Sequence, residues 1–182
     1  MDHVPYLFCE SVAATLKDLR RLKESLYVLR KQRGNWKTVL KEHAENRRTL
    51  RLHIGFNDLY WSYKFLDRYT YENVSIEDIE LLKPKYLRVT NFEINRTQYG
   101  YGTSAAVHLE TLSQVMKYAA PLFARADMNF SRDIAANDGD LSRLLENLKN
   151  CSIKRIGIYE RRDSYEEFAD SQPMSVYVFR YY

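Results

Sequence analysis

The spacing of apolar residues changes near Arg48, and this change constrains the fold more than any other feature of the sequence. Before it, apolar residues recur every three or four positions, the period of one face of an α-helix. After it, apolar and polar residues alternate, the period of a β-strand. We therefore predict a helical segment over residues 1–47 and an α/β segment over residues 48–182, with a single compact unit as the alternative.

The helical segment carries one long apolar stripe. Its members are Phe8, Val12, Leu16, Leu19, Leu22, Leu26 and Leu29. We expect this stripe to be buried in the protein's own core, or to form an interface if it is an exposed patch. Gly34 then ends the first helix, and Asn35 is a candidate N-cap for a second helix over about residues 36–44. Its inward residues are predicted to be Trp36, Val39 and Leu40.

The α/β segment begins with two alternating runs, which predict a β-hairpin. Further strands and helices then follow in turn. The hairpin covers residues 49–56 and 59–66, the later strands 85–94, 125–131, 152–159 and 175–182, and the longer helices 109–123 and 138–151. Strands separated by helices favour parallel crossovers, although the last two strands are also open to antiparallel pairing. The fold class is therefore α+β or α/β: N-terminal helices, a β-hairpin and a repeat-like βαβα layer.

The composition excludes several protein classes. No apolar run approaches the ~20 residues of a membrane-spanning helix, and no signal peptide precedes Tyr6. Two cysteines, Cys9 and Cys151, are too few for a disulfide framework and lack metal-ligand spacing. We expect an intracellular protein, cytoplasmic or nuclear, with no membrane partner.

No group of residues in the sequence indicates chemistry. The histidines lie far apart and without metal-ligand spacing; they are His3, His43, His53 and His108. Cys9 is interpreted as a packing residue, and the loop at residues 99–104 lacks the lysine of a phosphate-binding loop. Acidic residues at two predicted helix starts are explained by capping and by the helix dipole: Glu77, Asp78, Glu80, Asp138 and Asp140. We therefore predict no catalytic residue, metal, cofactor or small-molecule ligand, and a protein that is not an enzyme.

Positive charge is concentrated near the N-terminus. Residues 1–51 contain 12 Lys/Arg and 6 Asp/Glu, within a chain of 28 basic and 24 acidic residues. A solvated charged face is the first interpretation, an acidic protein partner the second and nucleic acid the third. The basic residues concerned are Arg20, Arg21, Lys23, Arg30, Lys31, Arg33, Lys37, Lys41, Arg47, Arg48 and Arg51.

The first residues resemble the opening of a nematode-expanded family of small F-box-like proteins. The resemblance is carried by the run from Met1 to Leu16, and continues in short segments between Asn35 and Tyr63. It is most specific over residues 1–65. Within it, Val4-Pro5, followed by Val12 and Leu16, is similar to the Leu-Pro start of an F-box.

This resemblance implies an F-box-like segment at residues 1–47 that contacts a Skp1-type linker of a ubiquitin ligase. The implied contact residues are Val4, Pro5, Leu7, Phe8, Val12 and Leu16. The α/β part would then bind an unknown target. The leading prediction is a non-enzymatic protein-interaction module, an F-box-type substrate adaptor or a degenerate form of one. Nucleic-acid binding by the basic helices and an enzyme of unrecognised mechanism are the alternatives.

Overall fold

A computed structural model describes residues 4–15, 34–56, 60–96, 106–130, 137–158, 168–171 and 176–178. The chain forms two compact units. The N-terminal unit comprises Met1–Arg48 together with Leu81–Leu87, and the sheet unit comprises Thr49–Glu80 and Arg88–Tyr182. Residues 81–87, predicted to belong to the α/β segment, thus form part of the N-terminal unit. Among the described helices, none has the length and apolar character needed to cross a bilayer.

The N-terminal unit contains two α-helices and one short 3-10 turn. These are α1 (Tyr6–Thr15), α2 (Gly34–Asn46) and the turn Pro84–Tyr86. Helix α1 begins directly after Pro5, whose carbonyl oxygen accepts from the backbone N–H groups of Phe8 and Cys9 at 3.1 and 3.2 Å. A proline is tolerated there because the first backbone N–H groups of a helix have no partner within it.

The core between α1 and α2 is built around small residues of α1. Cys9 and Ala13, one helical turn apart, pack against Val39 and Leu40 of α2. Val4 and Trp36 flank this cluster. Small side chains on α1 allow the two helix backbones to approach closely. The interpretation of Cys9 as a packing residue is confirmed, since it is fully buried.

The predicted burial of the apolar stripe is wrong at Phe8, which is 55% exposed. The rest of the stripe, from Leu16 to Leu29, lies outside the described residues. In α2, Val39 and Leu40 are buried as predicted, and Trp36 is partly buried. Asn35 lies inside α2, and its side-chain amide donates to the carbonyl oxygen of Val4 at 3.0 Å. The predicted N-cap at Asn35 is therefore wrong, because the helix begins one residue earlier.

The described strands of the sheet unit form a seven-stranded mixed sheet, in the order β3-β2-β1-β4-β5-β6-β7. Strands β1 and β4 begin at Arg48 and Leu87, where the chain leaves the N-terminal unit. The strands are β1 (Arg48–Phe56), β2 (Trp61–Asp67), β3 (Asn73–Val74), β4 (Leu87–Arg96), β5 (Phe123–Phe130), β6 (Ser152–Ile158) and β7 (Val176–Val178). The helices of this unit are α3 (Ile76–Glu80), α4 (Leu109–Ala119) and α5 (Asp138–Glu146).

Strand pairing confirms the predicted fold class, α+β or α/β. Strands β1 and β2 form the expected antiparallel hairpin, with Phe56 opposite Trp61. Strands β4 to β7 are parallel and lie side by side in chain order. The last two strands are thus parallel, which rules out the antiparallel alternative. Parallel crossovers share one handedness. When they all step in the same direction across a sheet, their connecting helices lie on the same side of that sheet.

Helices α4 and α5 bury their apolar faces in the core of the sheet unit. Their buried residues are Leu112, Val115, Met116, Leu141, Leu144 and Leu145. The strands contribute an aromatic chain in which the Phe92 ring lies 5.9 Å from Phe123 and 6.1 Å from Phe130. Phe130 in turn lies 6.1 Å from Phe168. Burial of these residues leaves the polar residues of each strand on the opposite face.

Two helices of this unit have side-chain caps. Ser75 Oγ accepts from the backbone N–H of Asp78 at 3.0 Å, as expected from the sequence. Helix α5 is capped by Asn137, whose Oδ1 accepts from the N–H of Asp140 at 2.9 Å. Asp138 and Asp140 lie in the first turn, where the helix dipole favours negative charge.

Candidate functional site

The outer side of α1 exposes two large apolar residues. Leu7 is 77% exposed and Phe8 is 55% exposed, whereas Cys9 and Ala13 on the inner side are fully buried. The Phe8 ring packs edge-on against Trp36, at a centroid distance of 6.2 Å. A helix whose inner face is already packed leaves Leu7 and Phe8 available to other protein surface.

The structure places five of the six residues implied by the F-box resemblance in two environments. Pro5, Leu7 and Phe8 are exposed, and Val4 and Val12 are partly buried. Leu16 lies outside the described residues. Val4 packs against the cluster formed by α1 and α2, whereas Leu7 and Phe8 lie on the outer side of α1.

A polar cluster joins the three segments of the N-terminal unit; we call it the buried polar cluster because His43, Arg47 and Tyr86 are buried in it, whereas Lys85 and Tyr6 are exposed. Its centre is Glu10 of α1, whose Oε1 lies 2.8 Å from Lys85 Nζ and 3.4 Å from His43 Nε2. The Lys85 ammonium lowers the pKa of the Glu10 carboxyl, and Glu10 raises the pKa of Lys85. The carboxylate and the ammonium are therefore both held in their charged forms.

Arg47 fixes the protonation pattern of His43. Both side chains are buried, and Arg47 Nη2 lies 3.0 Å from His43 Nδ1 and 2.7 Å from the carbonyl oxygen of Ala13. A guanidinium only donates hydrogen bonds, so Nδ1 must accept and the ring proton must lie on Nε2, facing Glu10. Burial and the Arg47 charge lower the pKa of His43.

Two tyrosines complete the cluster on Glu42. The hydroxyls of Tyr6 and Tyr86 donate to Glu42 Oε2 at 2.9 and 3.1 Å. The bond to Glu42 is the main reason that the pKa of Tyr6 is raised to about 12. The Tyr86 ring also stacks edge-on against His43, with centroids 5.0 Å apart.

The chemistry of this buried polar cluster suits a structural role, in which charged and polar groups hold three segments of the chain together. General acid–base catalysis works best with a group whose pKa lies near the working pH. Here the pKa values of Glu10 and Lys85 are moved away from neutrality in opposite directions, and His43 is held neutral. The cluster ties α1, α2 and the 3-10 turn together.

Mild acid is expected to destabilise the N-terminal unit through His43. Its pKa is near 6.5 when unfolded and lower when folded, so the unfolded chain binds more protons between these values. The free energy of unfolding should therefore fall as pH drops below 6.5, by at most about 1.4 kcal/mol per pH unit. The groups that face His43 are Glu10, Arg47, Lys85 and the Tyr86 ring. The lowered pKa of Glu10 adds a second loss below its usual value of 4.5.

This pH dependence is measured as the urea midpoint of Trp36 fluorescence at pH 7.5 and pH 5.5, in a Trp61→Phe background. His43→Gln should flatten the difference, whereas the exposed His108→Gln should leave it unchanged. An equal difference in His43→Gln would show that another group carries the effect.

The second polar arrangement lies on the sheet face opposite α4 and α5. Arg155 of β6 holds Asp127 of β5 by two bonds, Nε to Oδ1 at 2.9 Å and Nη2 to Oδ2 at 2.8 Å. Lys154 Nζ also lies 3.8 Å from Asp127 Oδ1. Consecutive residues reach one carboxylate because the β5–β6 register shifts there, pairing Ala126 with Ile153 but Asp127 with Arg155. The Arg155 bonds lower the pKa of Asp127.

The remaining sequence candidates are not brought into one site. His53 lies 3.5 Å from Glu93 on the polar face of the sheet, and His108 directly precedes α4. Cys151 is partly buried, and burial raises its pKa to about 11, so the thiol is not activated. His3 and the loop at residues 99–104 lie outside the described residues. No metal-binding group of His, Cys, Asp or Glu occurs in the part of the chain that the structure describes.

The basic residues of the first third are also divided. Arg47 is only 4% exposed and belongs to the buried polar cluster, whereas Lys37, Lys41 and Arg48 are exposed. Arg51 is partly buried, and its guanidinium lies over the Tyr71 ring at 4.7 Å. The others, Arg20, Arg21, Lys23, Arg30, Lys31 and Arg33, lie outside the described residues.

Comparison of the chain with known protein families, curated proteins and solved structures finds no match in any of the three. The candidate sites therefore rest on the geometry described above. Sequence reasoning missed both polar arrangements, because neither forms a local motif. The one local signal was the position of Lys154 and Arg155 in a strand otherwise rich in isoleucine.

Proposed function

We propose that this chain is a non-enzymatic protein-interaction module that docks through the outer face of α1. The observation that carries the proposal is the exposure of Leu7 and Phe8 on a helix whose inner face is already packed. Exposed neighbouring aromatic and aliphatic residues are typical anchors of protein interfaces. The buried polar cluster supports this role by holding α1 rigidly, so that little order has to be gained on binding.

The proposed partner is a Skp1-type linker of a ubiquitin ligase. The support for it is the resemblance of the Val4-Pro5 start to an F-box, together with the exposure of Pro5, Leu7 and Phe8. In this proposal the chain is an adaptor, or a degenerate form of one, and the sheet unit binds the target.

Nucleic-acid binding by the basic N-terminal residues is the weaker alternative. The Arg47 guanidinium is not accessible to a phosphate, because it is buried and bonds to His43 Nδ1 and the carbonyl oxygen of Ala13. An enzyme of unrecognised mechanism is also less well supported, since the buried polar cluster holds its charged groups away from proton transfer near neutral pH.

The test is capture of a purified Skp1-type linker by the full chain. Leu7→Glu/Phe8→Glu should reduce capture at least tenfold, since it places two charges where apolar side chains would be desolvated. Leu81→Glu is the matched control, because Leu81 is a large apolar residue with 84% exposure in the segment that follows α3.

Undiminished capture by the double variant would remove α1 as the docking surface. Wild-type chain that retains no linker would remove the ubiquitin-ligase part of the proposal. Circular dichroism should show that both variants remain folded, as expected for changes at exposed positions.

A further inference from the structure

An exposed turn joins β2 to β3 at one edge of the sheet. Residues 68–73 are all exposed, and the side chain of Tyr71 is 61% exposed. Asp67 shapes the turn, because its Oδ1 accepts from the backbone N–H groups of Tyr69 and Thr70 at 2.8 and 3.2 Å. The turn therefore presents Tyr71 to other molecules.

The Tyr71 hydroxyl lies against an arginine side chain. Arg51 of β1 donates from Nη2 to Tyr71 Oη at 3.2 Å, and its guanidinium carbon lies 4.7 Å from the centroid of the ring. Arg51 Nε is buried and has no hydrogen-bond partner among the described residues. A phenol carries no negative charge, so the guanidinium remains able to bind an anion at this position.

We propose that Tyr71 is a phosphorylation site and that Arg51 binds the phosphate once it is attached. The enzyme that would modify it is an ATP-dependent protein-tyrosine kinase. Tyr71 Oη forms a bond to the γ-phosphorus of ATP, and the bond from that phosphorus to the bridging oxygen breaks. ADP leaves with that oxygen, and the hydroxyl proton goes to the base of the kinase. The inference goes beyond the proposed function, because it needs no contact of α1.

The phosphate would be attached within reach of the guanidinium. Arg51 already contacts the oxygen that would carry it, and phosphorylation adds three acceptor oxygens and a charge of about −1.5 to −2. Charge-assisted hydrogen bonds, which are roughly twice as strong, would replace a bond to a neutral group. The neighbouring carboxylate of Glu72 accepts from Thr70 Oγ1 at 3.0 Å, within the turn itself.

The backbone around Tyr71 is suited to local opening, which an enzyme needs to reach a turn. Strand β3 has two residues, lies at the edge of the sheet and pairs with β2 through Val74 to Phe65 and Asn73 to Leu66. Tyr71 has a φ of 60°, in the left-handed region that is unfavourable for a residue with a Cβ. Extension of the turn would release this strain, and a short edge element opens more readily than a central strand.

Tyr6 is another exposed tyrosine, but its hydroxyl has the opposite kind of neighbour. It donates to Glu42 Oε2 at 2.9 Å, and that carboxylate would repel a phosphate. Exposure alone therefore does not define the proposed site. The positive charge beside the Tyr71 hydroxyl is the feature that distinguishes it from Tyr6.

The first test treats the folded full chain with ATP and a purified protein-tyrosine kinase domain that modifies a random glutamate–tyrosine copolymer. Peptide mass spectrometry should find at least about fivefold more phosphate on Tyr71 than on Tyr60, which is 49% exposed. Tyr71→Phe should remove most of the incorporation, and Tyr60→Phe is the matched control that should retain it. Incorporation chiefly at another tyrosine, or only in the urea-unfolded chain, would overturn the proposal.

The second test asks whether Arg51 binds the attached phosphate, by titrating the phosphorus NMR shift of the modified chain. A guanidinium stabilises the dianion, so the titration midpoint should lie about 0.5 pH unit or more lower in wild type than in Arg51→Gln. Arg51→Lys keeps the charge and should restore most of the difference, whereas Lys117→Gln, at an exposed position of α4, should leave the midpoint unchanged. Equal midpoints in wild type and Arg51→Gln would remove Arg51 as the partner of the phosphate. Circular dichroism before modification checks the fold of each variant.

Discussion

Replacing Phe92 with alanine is expected to lower the free energy of unfolding of the sheet unit by about 3–5 kcal/mol. The side chain is fully buried in β4, between the rings of Phe123 and Phe130. The variant would lose the transfer free energy of the ring, leave a cavity and remove two aromatic contacts. Urea denaturation in a Trp36→Phe background measures this, since Trp61 then reports on the sheet unit alone.

The matched control for Phe92→Ala is Phe8→Ala. Phe8 is 55% exposed and packs edge-on against Trp36. Its removal should lower the free energy of unfolding of the N-terminal unit by less than about 1 kcal/mol, as followed by Trp36 fluorescence in a Trp61→Phe background. A loss of comparable size in the two variants would contradict the assignment of Phe92 to the core and Phe8 to the surface.

Replacing Arg47 with alanine is expected to lower the free energy of unfolding of the N-terminal unit by about 3 kcal/mol. The change removes the donor from His43 Nδ1 and from the Ala13 carbonyl oxygen, in a site from which water is excluded. When one partner of a buried polar arrangement is removed, the groups that remain are left without a hydrogen bond. Their desolvation is then no longer compensated, which lowers the free energy of unfolding.

Arg48→Ala provides the comparison, because it removes the same side chain one position later, where the residue is exposed. It should change the free energy of unfolding by less than about 0.5 kcal/mol. Trp36 fluorescence follows the N-terminal unit in both variants, with Trp61→Phe as background. If Arg47→Ala and Arg48→Ala behaved alike, the buried polar cluster would not stabilise the unit.

Local pattern was sufficient to predict the β-hairpin and the parallel layer. Leu50, Leu52 and Ile54 alternate with polar residues, and such alternation favours one register over its neighbours, since a slip of one residue would turn every apolar side chain outward. Helix-sized segments between strands β4, β5 and β6 similarly required parallel crossovers. These elements depend on nearest neighbours in the chain, which a sequence shows directly.

The buried polar cluster depends on distant residues and was not predicted. Glu10, His43 and Lys85 come from three separate segments, and each has an ordinary local explanation on its own helix or loop. Nothing in their spacing shows that they meet. Only folding of the N-terminal unit around Leu81–Leu87 brings Lys85 to Glu10.

The predicted burial of Phe8 is wrong because large apolar residues define the stripe on which it rests. Phe8 continues the spacing of the leucines, which predicts an inner position for it. Small residues at Cys9 and Ala13 take that face instead, because close packing against Val39 and Leu40 requires little volume on α1. Size complementarity of this kind is a property of two helices, and a single sequence pattern does not contain it.

The discontinuity of the N-terminal unit limits how this protein can be divided or recombined. The backbone passes between the two units after Arg48, after Glu80 and after Leu87. A fragment that stopped at residue 48 would lose the ammonium that neutralises Glu10 and one of the two hydroxyls on Glu42. The helical part therefore cannot be moved into another protein as one continuous segment. It can be transferred only together with the strands that flank its inserted turn.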